Sequence, residues 1–245
     1  MDPIVSFNTT AISFTSSAIL SAFIAWRAFF ILQRQKTNPA SEFFFKALVF
    51  MTFYMGVRGF VSFFFVHEET VLAFAYLLSH IFLGIAVAYI VKFSVSNFFQ
   101  RHTAQRFFYL TLFLFGLDVL LNVFFPNTPE FHAQSGIVDW GTHTYVAIFH
   151  TGLLWGGFLL AASLFLSKVA QYWSDTTLRY RSLLIALGLI SAIVVVIPRN
   201  LVESPLMIVI SDIGFIISLA LILFGVSFRA QETQNPHVQK PTVGI

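Results

Sequence analysis

The sequence predicts an all-α protein, a polytopic integral membrane bundle of seven transmembrane helices with the N-terminus outside and the C-terminus in the cytoplasm. Seven long apolar stretches fill the chain almost from end to end, and a spanning helix needs about 20 mostly apolar residues. Charged residues make up only 10% of the chain, against roughly a quarter in soluble domains. A soluble fold of this size could not cover so much apolar surface, whereas lipid accepts it directly.

The connections between the apolar stretches are short, except for the polar segment 126–142 before the fifth. The second and third stretches are separated only by His67-Glu68-Glu69, which predicts a tight antiparallel helix pair, and Pro198 is expected to close the sixth span. The predicted spans are 11–33, 43–66, 70–94, 106–125, 144–167, 182–198 and 206–228. The organisation is therefore a short external N-terminus (1–10), a single seven-helix domain (11–229) and a disordered cytoplasmic tail (230–245).

The orientation follows from lysine and arginine, which mark the cytoplasmic side of membrane proteins. The loops on the opposite side hold only Arg199. The basic residues on the predicted cytoplasmic side are Arg34, Lys36, Lys46, Arg101, Arg106, Lys168, Arg179, Arg181, Arg229 and Lys240. We expect a multi-pass protein of the plasma or inner membrane.

Composition also excludes several kinds of function. The chain has no cysteine, which excludes disulfides, thiolate catalysis and sulfur-ligated clusters. Its net charge of +3 is spread over several short loops, so no basic patch for nucleic acid is present. The expected partners are membrane lipids and a signalling or complex partner at the cytoplasmic face.

Ionisable side chains within the apolar spans are the candidate functional residues, because burying them in a membrane is costly. They come from different spans but fall in the outer half of each, which predicts a polar pocket that opens outward. Asp118 and Asp212 are the natural counter-charges for Arg58, and His80 or His150 is the group that would titrate in a proton-responsive network. A buried ion-pair network that only fixes helix packing is the alternative. The predicted pocket comprises Arg58, His80, Asp118, Asn122, His150, Arg199, Glu203 and Asp212.

A metal site is a second hypothesis for the same region. Asp139, His143 and His150 would lie near one helical face if the fifth helix began early, since three turns cover about 11 residues. With His80 they would supply three nitrogens and one oxygen, a donor set suited to zinc. Gly141 and Thr142 argue against so early a helix start. Haem b between His80 and His150 would need opposed rings at one depth, and the two positions differ in depth by several ångströms.

The seventh stretch resembles the last helix of microbial rhodopsins, through Ser211-Asp212 and the following run that ends Leu-Ile-Leu-Phe. The resemblance implies an aspartate counter-ion beside retinal. Ile216 occupies the position of the Schiff-base lysine, and this stretch has no lysine, so covalent retinal is not expected. Arg199-Asn-Leu-Val-Glu203 followed by Asp212 resembles the last two helices of fungal seven-helix lipid-exporter-like proteins and the seven-helix sensor regions of bacterial signalling proteins.

The sequence names no reaction, and it favours a binding function over an enzymatic one. The leading hypothesis is a receptor-like, sensor-like or transporter-like protein whose outward-facing pocket takes a small ligand or a proton. The alternatives are a metal-dependent intramembrane hydrolase that acts on lipid, and an accessory or scaffolding subunit whose phenylalanine-rich faces contact other membrane proteins or pigments.

Overall fold

The computed structural model describes residues 8–34, 39–201 and 205–227, which form seven α-helices and one short β-hairpin. The expectations for residues 1–7, Lys36, Glu203, Arg229, Lys240 and the tail 230–245 lie outside the described residues. The helices are α1 Thr9–Arg34, α2 Pro39–Phe64, α3 Glu69–Ser96, α4 Arg101–Phe124, α5 Thr144–Gln171, α6 Thr176–Leu201 and α7 Pro205–Ser227, and the strands are β1 Glu130–His132 and β2 Ile137–Asp139.

The all-helical class predicted from the sequence is confirmed. Six of the described helices are long and apolar enough to cross a membrane by length and composition, and α7 contains a shorter apolar helix, Val209–Gly225. The short connection predicted after the second span is also present, although it comprises residues 65–68, because α2 ends at Phe64 and α3 already begins at Glu69.

Two details of the sequence prediction are wrong. Pro198 does not close the sixth helix, because α6 continues to Leu201. Proline removes one backbone donor and disrupts most strongly in a helix interior, and here it falls in the last turn. The segment 126–142 is not only a polar connection, since it contains the antiparallel pair β1 and β2 in the register Phe131↔Val138.

Consecutive helices pack as neighbours, and α7 closes the bundle against α1. Among the six helices long enough to span, α3 is the most buried and α4 the least. Helix α3 contacts α2, α4 and α5, so it lies at the centre of the bundle, whereas α4 lies on its outside against α3 and α5. Because α3 is central, its side chains contribute much of the lining of the bundle interior.

Close helix contacts depend on particular glycines. A Cβ on Gly59 of α2 would lie 2.6 Å from Thr15 Oγ1 and 3.0 Å from Thr15 N of α1, whereas a Cβ on Gly56 would meet nothing within 4 Å. A Cβ on Gly214 of α7 would lie 2.3 Å from Val195 Cγ1 of α6. Gly59 and Gly214 therefore permit the approach of neighbouring helices, as small residues do at helix interfaces.

The hairpin and the residues after it are held against the helix ends. Thr9 N donates to the Gly136 carbonyl at 2.8 Å, and Val138 N donates to Thr10 Oγ1 at 2.9 Å. Gly141 has φ of +55°, and a Cβ there would lie 2.0 Å from the Thr128 carbonyl oxygen. Only glycine fits this position, so the segment is built to follow one path across the end of the bundle.

Candidate functional site

Three of the candidate residues lie at similar distances from the hairpin end of the bundle. Arg58 and Asp118 are each six residues before the ends of α2 and α4, and His150 is six residues after the start of α5. At 1.5 Å per residue these positions lie roughly 9 Å below the helix ends. Because adjacent helices are antiparallel, three different helices place polar groups in one layer.

One cavity occupies this layer, and we call it the hairpin-side cavity. It contains about 710 Å³ of space not filled by atoms, including the part open to the surroundings. Arg58, His80, His150 and Asp212 all line it, from α2, α3, α5 and α7. The hydroxyl-bearing residues in its lining are Ser13, Ser17, Tyr54, Tyr76 and Ser211, and the apolar ones are Phe14, Met51, Met55, Leu83, Leu154, Phe158, Val195 and Phe215.

Arg58 is 4% exposed and its guanidinium is enclosed by aromatic rings. Its Nε donates to Ser79 Oγ at 2.9 Å. Its Cζ lies 4.7 to 5.5 Å from four ring centroids, those of Trp140, Tyr76, Tyr54 and Phe14. A guanidinium is stabilised over aromatic faces, most strongly when water is excluded, so these rings compensate part of the cost of burying the charge.

His80 lies between Arg58 and His150. Its Nδ1 is 2.9 Å from the Tyr76 carbonyl oxygen, and because a carbonyl only accepts, this hydrogen bond puts the proton on Nδ1. Arg58 Nη2 lies 3.4 Å from the same nitrogen. The ring centroids of His80 and His150 are 4.3 Å apart at 59°. The bond to the Tyr76 carbonyl leaves His80 Nε2 as an acceptor for a ligand donor.

Asp118 is hydrogen-bonded to His150 but does not itself line the cavity. His150 Nδ1 donates to Asp118 Oδ2 at 2.7 Å, and Asp118 is 0% exposed. Its Oδ1 has no hydrogen-bond partner among the residues that the structure describes. Asn122 Nδ2 donates to the Asp118 carbonyl one turn earlier. Asp118 and Asn122 are thus close to the cavity but do not line it, and the expected pairing of Asp118 with Arg58 is replaced by pairing with His150.

The predicted metal set of His80, Asp139, His143 and His150 is not assembled. Helix α5 begins at Thr144, so Asp139 and His143 do not share a helical face with His150. Asp139 lies in β2, where its Oδ1 accepts from Gly141 N at 2.9 Å. His143 is exposed and lies against Phe125 and Tyr145. In the described part of the chain, the group with metal-ligand spacing is instead His80, Asp118 and His150, whose ligand atoms all lie within 4.8 Å of one another.

The haem hypothesis also changes. The rings of His80 and His150 are in direct contact, with centroids 4.3 Å apart. Rings in direct contact leave no gap for a porphyrin between them, so the pair does not fit bis-histidine ligation.

Several residues of the site were not singled out from the sequence. Tyr54 and Tyr76 each lie four residues before a candidate, Arg58 and His80, a spacing that puts side chains on one helix face and could have indicated them. Trp140 had no such signal, because its contact with Arg58 depends on the path of the segment after the hairpin. The Arg199 side chain and all of Glu203 lie outside what the structure describes.

Comparisons of the chain with protein-family models, with curated proteins and with solved structures found no match.

Proposed function

We propose that this chain is a multi-pass membrane protein of the receptor-like or transporter-like class, which binds a small ligand in the hairpin-side cavity. The observation that carries the proposal is the convergence of Arg58, His80, His150 and Asp212 from four helices on one cavity. Ionisable groups at membrane depth are costly and are placed there mainly for function.

The surface of the bundle supports a membrane location. Helix α4 exposes large apolar side chains, among them Tyr109, Phe113 at 63% and Phe124. Comparable residues are exposed on α1, α5 and α7, including Ile19, Leu159 and Phe224. In water such a continuous apolar surface would drive association, whereas acyl chains solvate it directly.

The charges at the two ends support the predicted orientation. The ends opposite the hairpin carry Lys46, Arg101, Lys168, Arg179 and Arg181, while Glu68 lies in the turn after α2 and Glu69 is the first residue of α3. Under the positive-inside rule the hairpin faces away from the cytoplasm, and the cavity lies in the outer half of a cell-membrane protein.

The chemistry of the cavity favours a ligand with both donors and acceptors. Arg58 is a permanent cation, Asp212 supplies a carboxylate, and the two imidazoles add donor and acceptor nitrogens. In a site removed from bulk water each hydrogen bond is strengthened. A small polar or zwitterionic group satisfies this combination.

Access to the cavity from the hairpin side is restricted. Trp140 is buried over Arg58, at 4.7 Å from its Cζ, and the Tyr76 hydroxyl is hydrogen-bonded to Thr142 Oγ1 at 2.7 Å. Ligand entry from this side requires the segment 140–142 to move. Such a movement would be the conformational change between a closed and an open state that a receptor or transporter requires.

The proposal is tested with purified protein in lipid nanodiscs and a panel of small zwitterions and single-chain lipids. A ligand that binds only the folded state at 100 times its Kd raises the unfolding free energy by about 2.7 kcal/mol. Asp212→Asn should abolish this stabilisation, while Asp175→Asn, in the exposed turn before α6, should keep it. A folded Asp212→Asn protein with undiminished stabilisation by every binder would overturn the proposal.

A second candidate is a metal-dependent membrane hydrolase that acts on lipid, favoured by the spacing of His80, Asp118 and His150. Zinc accepts imidazole and carboxylate ligands and activates a bound water. The guanidinium of Arg58, 3.4 Å from His80 Nδ1, opposes a dication there, so this function ranks second. Elemental analysis of the purified protein decides: zinc at about one per chain supports a catalytic site with three protein ligands and one open position, and zinc near background excludes this function.

A further inference from the structure

A second cavity lies directly beside the hairpin-side cavity, toward the opposite end of the bundle. It contains about 590 Å³ of unfilled space, including the part open to the surroundings, and we call it the apolar cavity. Its lining comprises Phe44, Ala47, Leu48, Met51, Ile90, Phe93, Phe158, Phe165, Ile185, Leu189, Ala192, Phe215, Ser218, Leu219 and Ile222.

The apolar cavity offers no polar group to a ligand among the residues that line it. Ser218 is the one polar side chain in this lining, and its hydroxyl is already engaged, with the Gly214 carbonyl at 2.8 Å and with Ser191 Oγ at 2.8 Å. Apolar cavities of this kind stay free of water and accept apolar guests. Unfilled space in a core also forfeits dispersion contacts, so an apolar occupant stabilises the bundle.

The two cavities share part of their lining. Met51 of α2, Phe158 of α5 and Phe215 of α7 line both. Methionine is unbranched and adapts its shape to its neighbours, so a change in the Met51 rotamer is a small movement that joins the two spaces. Joined in this way, the two spaces would form one elongated path, with charged groups near the hairpin and apolar side chains below.

We propose that the ligand of this protein is a single-chain amphiphile, with its polar head beside Arg58, His150 and Asp212 and its hydrocarbon chain in the apolar cavity. This inference rests on the proposed function and names the ligand class of the same site. A small polar solute or a metal ion would leave the apolar cavity unused, and a two-chain lipid would need a second apolar space.

The head is assigned from the charges of the hairpin-side cavity. Its lining carries a guanidinium and a carboxylate, and a zwitterionic head carries both opposite charges. A buried charge is tolerated when it meets an opposite charge and hydrogen bonds. A lysophospholipid with a choline head is therefore the probe, since it combines one chain with a zwitterionic head.

The test is photolabelling of the full chain in nanodiscs with a long-chain lysophosphatidylcholine that carries a diazirine at the chain end. We expect labels on residues of the apolar cavity such as Phe93, Ile185 and Leu189, removed by excess unlabelled lysophosphatidylcholine. Labels confined to outward-facing residues such as Phe113 and Leu159 would overturn the inference. The set of labelled residues is determined on the unaltered protein, so this test does not require a variant that folds.

A matched pair of variants on α6 adds a second readout. Ala192 lines the apolar cavity and is 4% exposed, whereas Val194 is 60% exposed. Ala192→Phe should lower the labelling of the apolar cavity by about tenfold or more, because the added ring takes the space of the chain. Val194→Phe should leave it unchanged. Equal labelling in both folded variants would contradict a chain in this cavity.

The outcomes separate the inference from the function on which it rests. If glycerophosphocholine, which has the same head and no chain, stabilises the protein as well as the lysolipid does, the ligand is a small polar solute and only the inference fails. If neither compound binds and Asp212→Asn changes nothing for any member of the panel, the proposed function fails with it.

Discussion

His150 Nδ1 donates a hydrogen bond to Asp118 Oδ2 at 2.7 Å, and the same imidazole lies against His80 with ring centroids 4.3 Å apart. Helix α4, the least buried of the helices long enough to span, is thereby linked to the ring that lines the hairpin-side cavity. Because Asp118 accepts from Nδ1, the other ring nitrogen of His150 is left for the cavity or for His80. The carboxylate therefore positions a candidate ligand-binding group and does not itself reach the cavity.

Replacing Asp118 should destabilise the fold unless the acceptor is kept. Asp118→Ala leaves the buried Nδ1–H of His150 without its partner, at a cost of roughly 1 to 3 kcal/mol. Asp118→Asn keeps an oxygen acceptor and should lose less than half as much. The free energy of unfolding in denaturant, measured in the same detergent for both variants, checks the order. Equal losses would show that the charge of Asp118 matters more than its hydrogen bond.

Two glycines of α2 should respond oppositely to alanine. Gly59→Ala places a Cβ against the backbone of Thr15 and should cost roughly 1 to 3 kcal/mol, as overpacking does. Gly56→Ala meets nothing within 4 Å and should be neutral or stabilising by up to about 1 kcal/mol, the helix propensity difference. Thermal unfolding of the two purified variants gives the comparison. A stable Gly59→Ala protein would contradict the close contact of α1 with α2.

Arg58 should not be replaceable by lysine. The guanidinium donates from Nε to Ser79 while its plane contacts aromatic rings, and an ammonium cannot do both. Arg58→Lys should lower the free energy of unfolding by roughly 1 to 2 kcal/mol, the range of a desolvated cation–π contact with one hydrogen bond. Arg27→Lys in α1, which we expect to anchor at the membrane interface, is the control and should change it by less than about 0.5 kcal/mol. Similar changes in the free energy of unfolding for Arg58→Lys and Arg27→Lys would show that the aromatic rings around Arg58 have no special role.

Truncating Trp140 should open the hairpin-side cavity to water-soluble reagents. The chain has no cysteine, so a single Ser17→Cys change places the one thiol in the cavity lining. Its rate of reaction with a membrane-impermeant thiol reagent should rise about tenfold or more when Trp140→Ala is added, because a buried ring between solvent and cavity has been removed. The control variant His67→Cys, in the exposed turn after α2, should react equally fast in both backgrounds. If Trp140→Ala leaves the reaction rate of the Ser17→Cys thiol unchanged, the route into the hairpin-side cavity does not pass Trp140.

Much of the fold was predictable from the sequence because a spanning helix can be identified from one continuous stretch, a run of apolar residues of sufficient length. The candidate site was partly predictable for a related reason. Arg58, His80, His150 and Asp212 stand out as ionisable groups inside such runs, and antiparallel helices bring Arg58 and His150, each six residues from its helix end, into one layer.

What could not be predicted depends on helix rotation and on the path of the loops. Whether Asp118 faces Arg58 or His150 is decided by the rotation of α4 against α3 and α5. The metal set that included Asp139 and His143 required α5 to begin five residues earlier than Thr144. The contact of Trp140 with Arg58 requires the hairpin to fold back over the helix ends, and strands of three residues leave almost no pattern in a sequence.

The central claim, that the cavity lined by Arg58, His80, His150 and Asp212 binds a ligand, is tested most directly by an experimental density map of the protein extracted with its native lipids. We expect non-protein density that contacts Arg58 and Asp212 and continues past Met51 toward Ala192. A well-ordered bundle in which protein side chains fill this space, with no density beside Arg58 or Asp212, would contradict it.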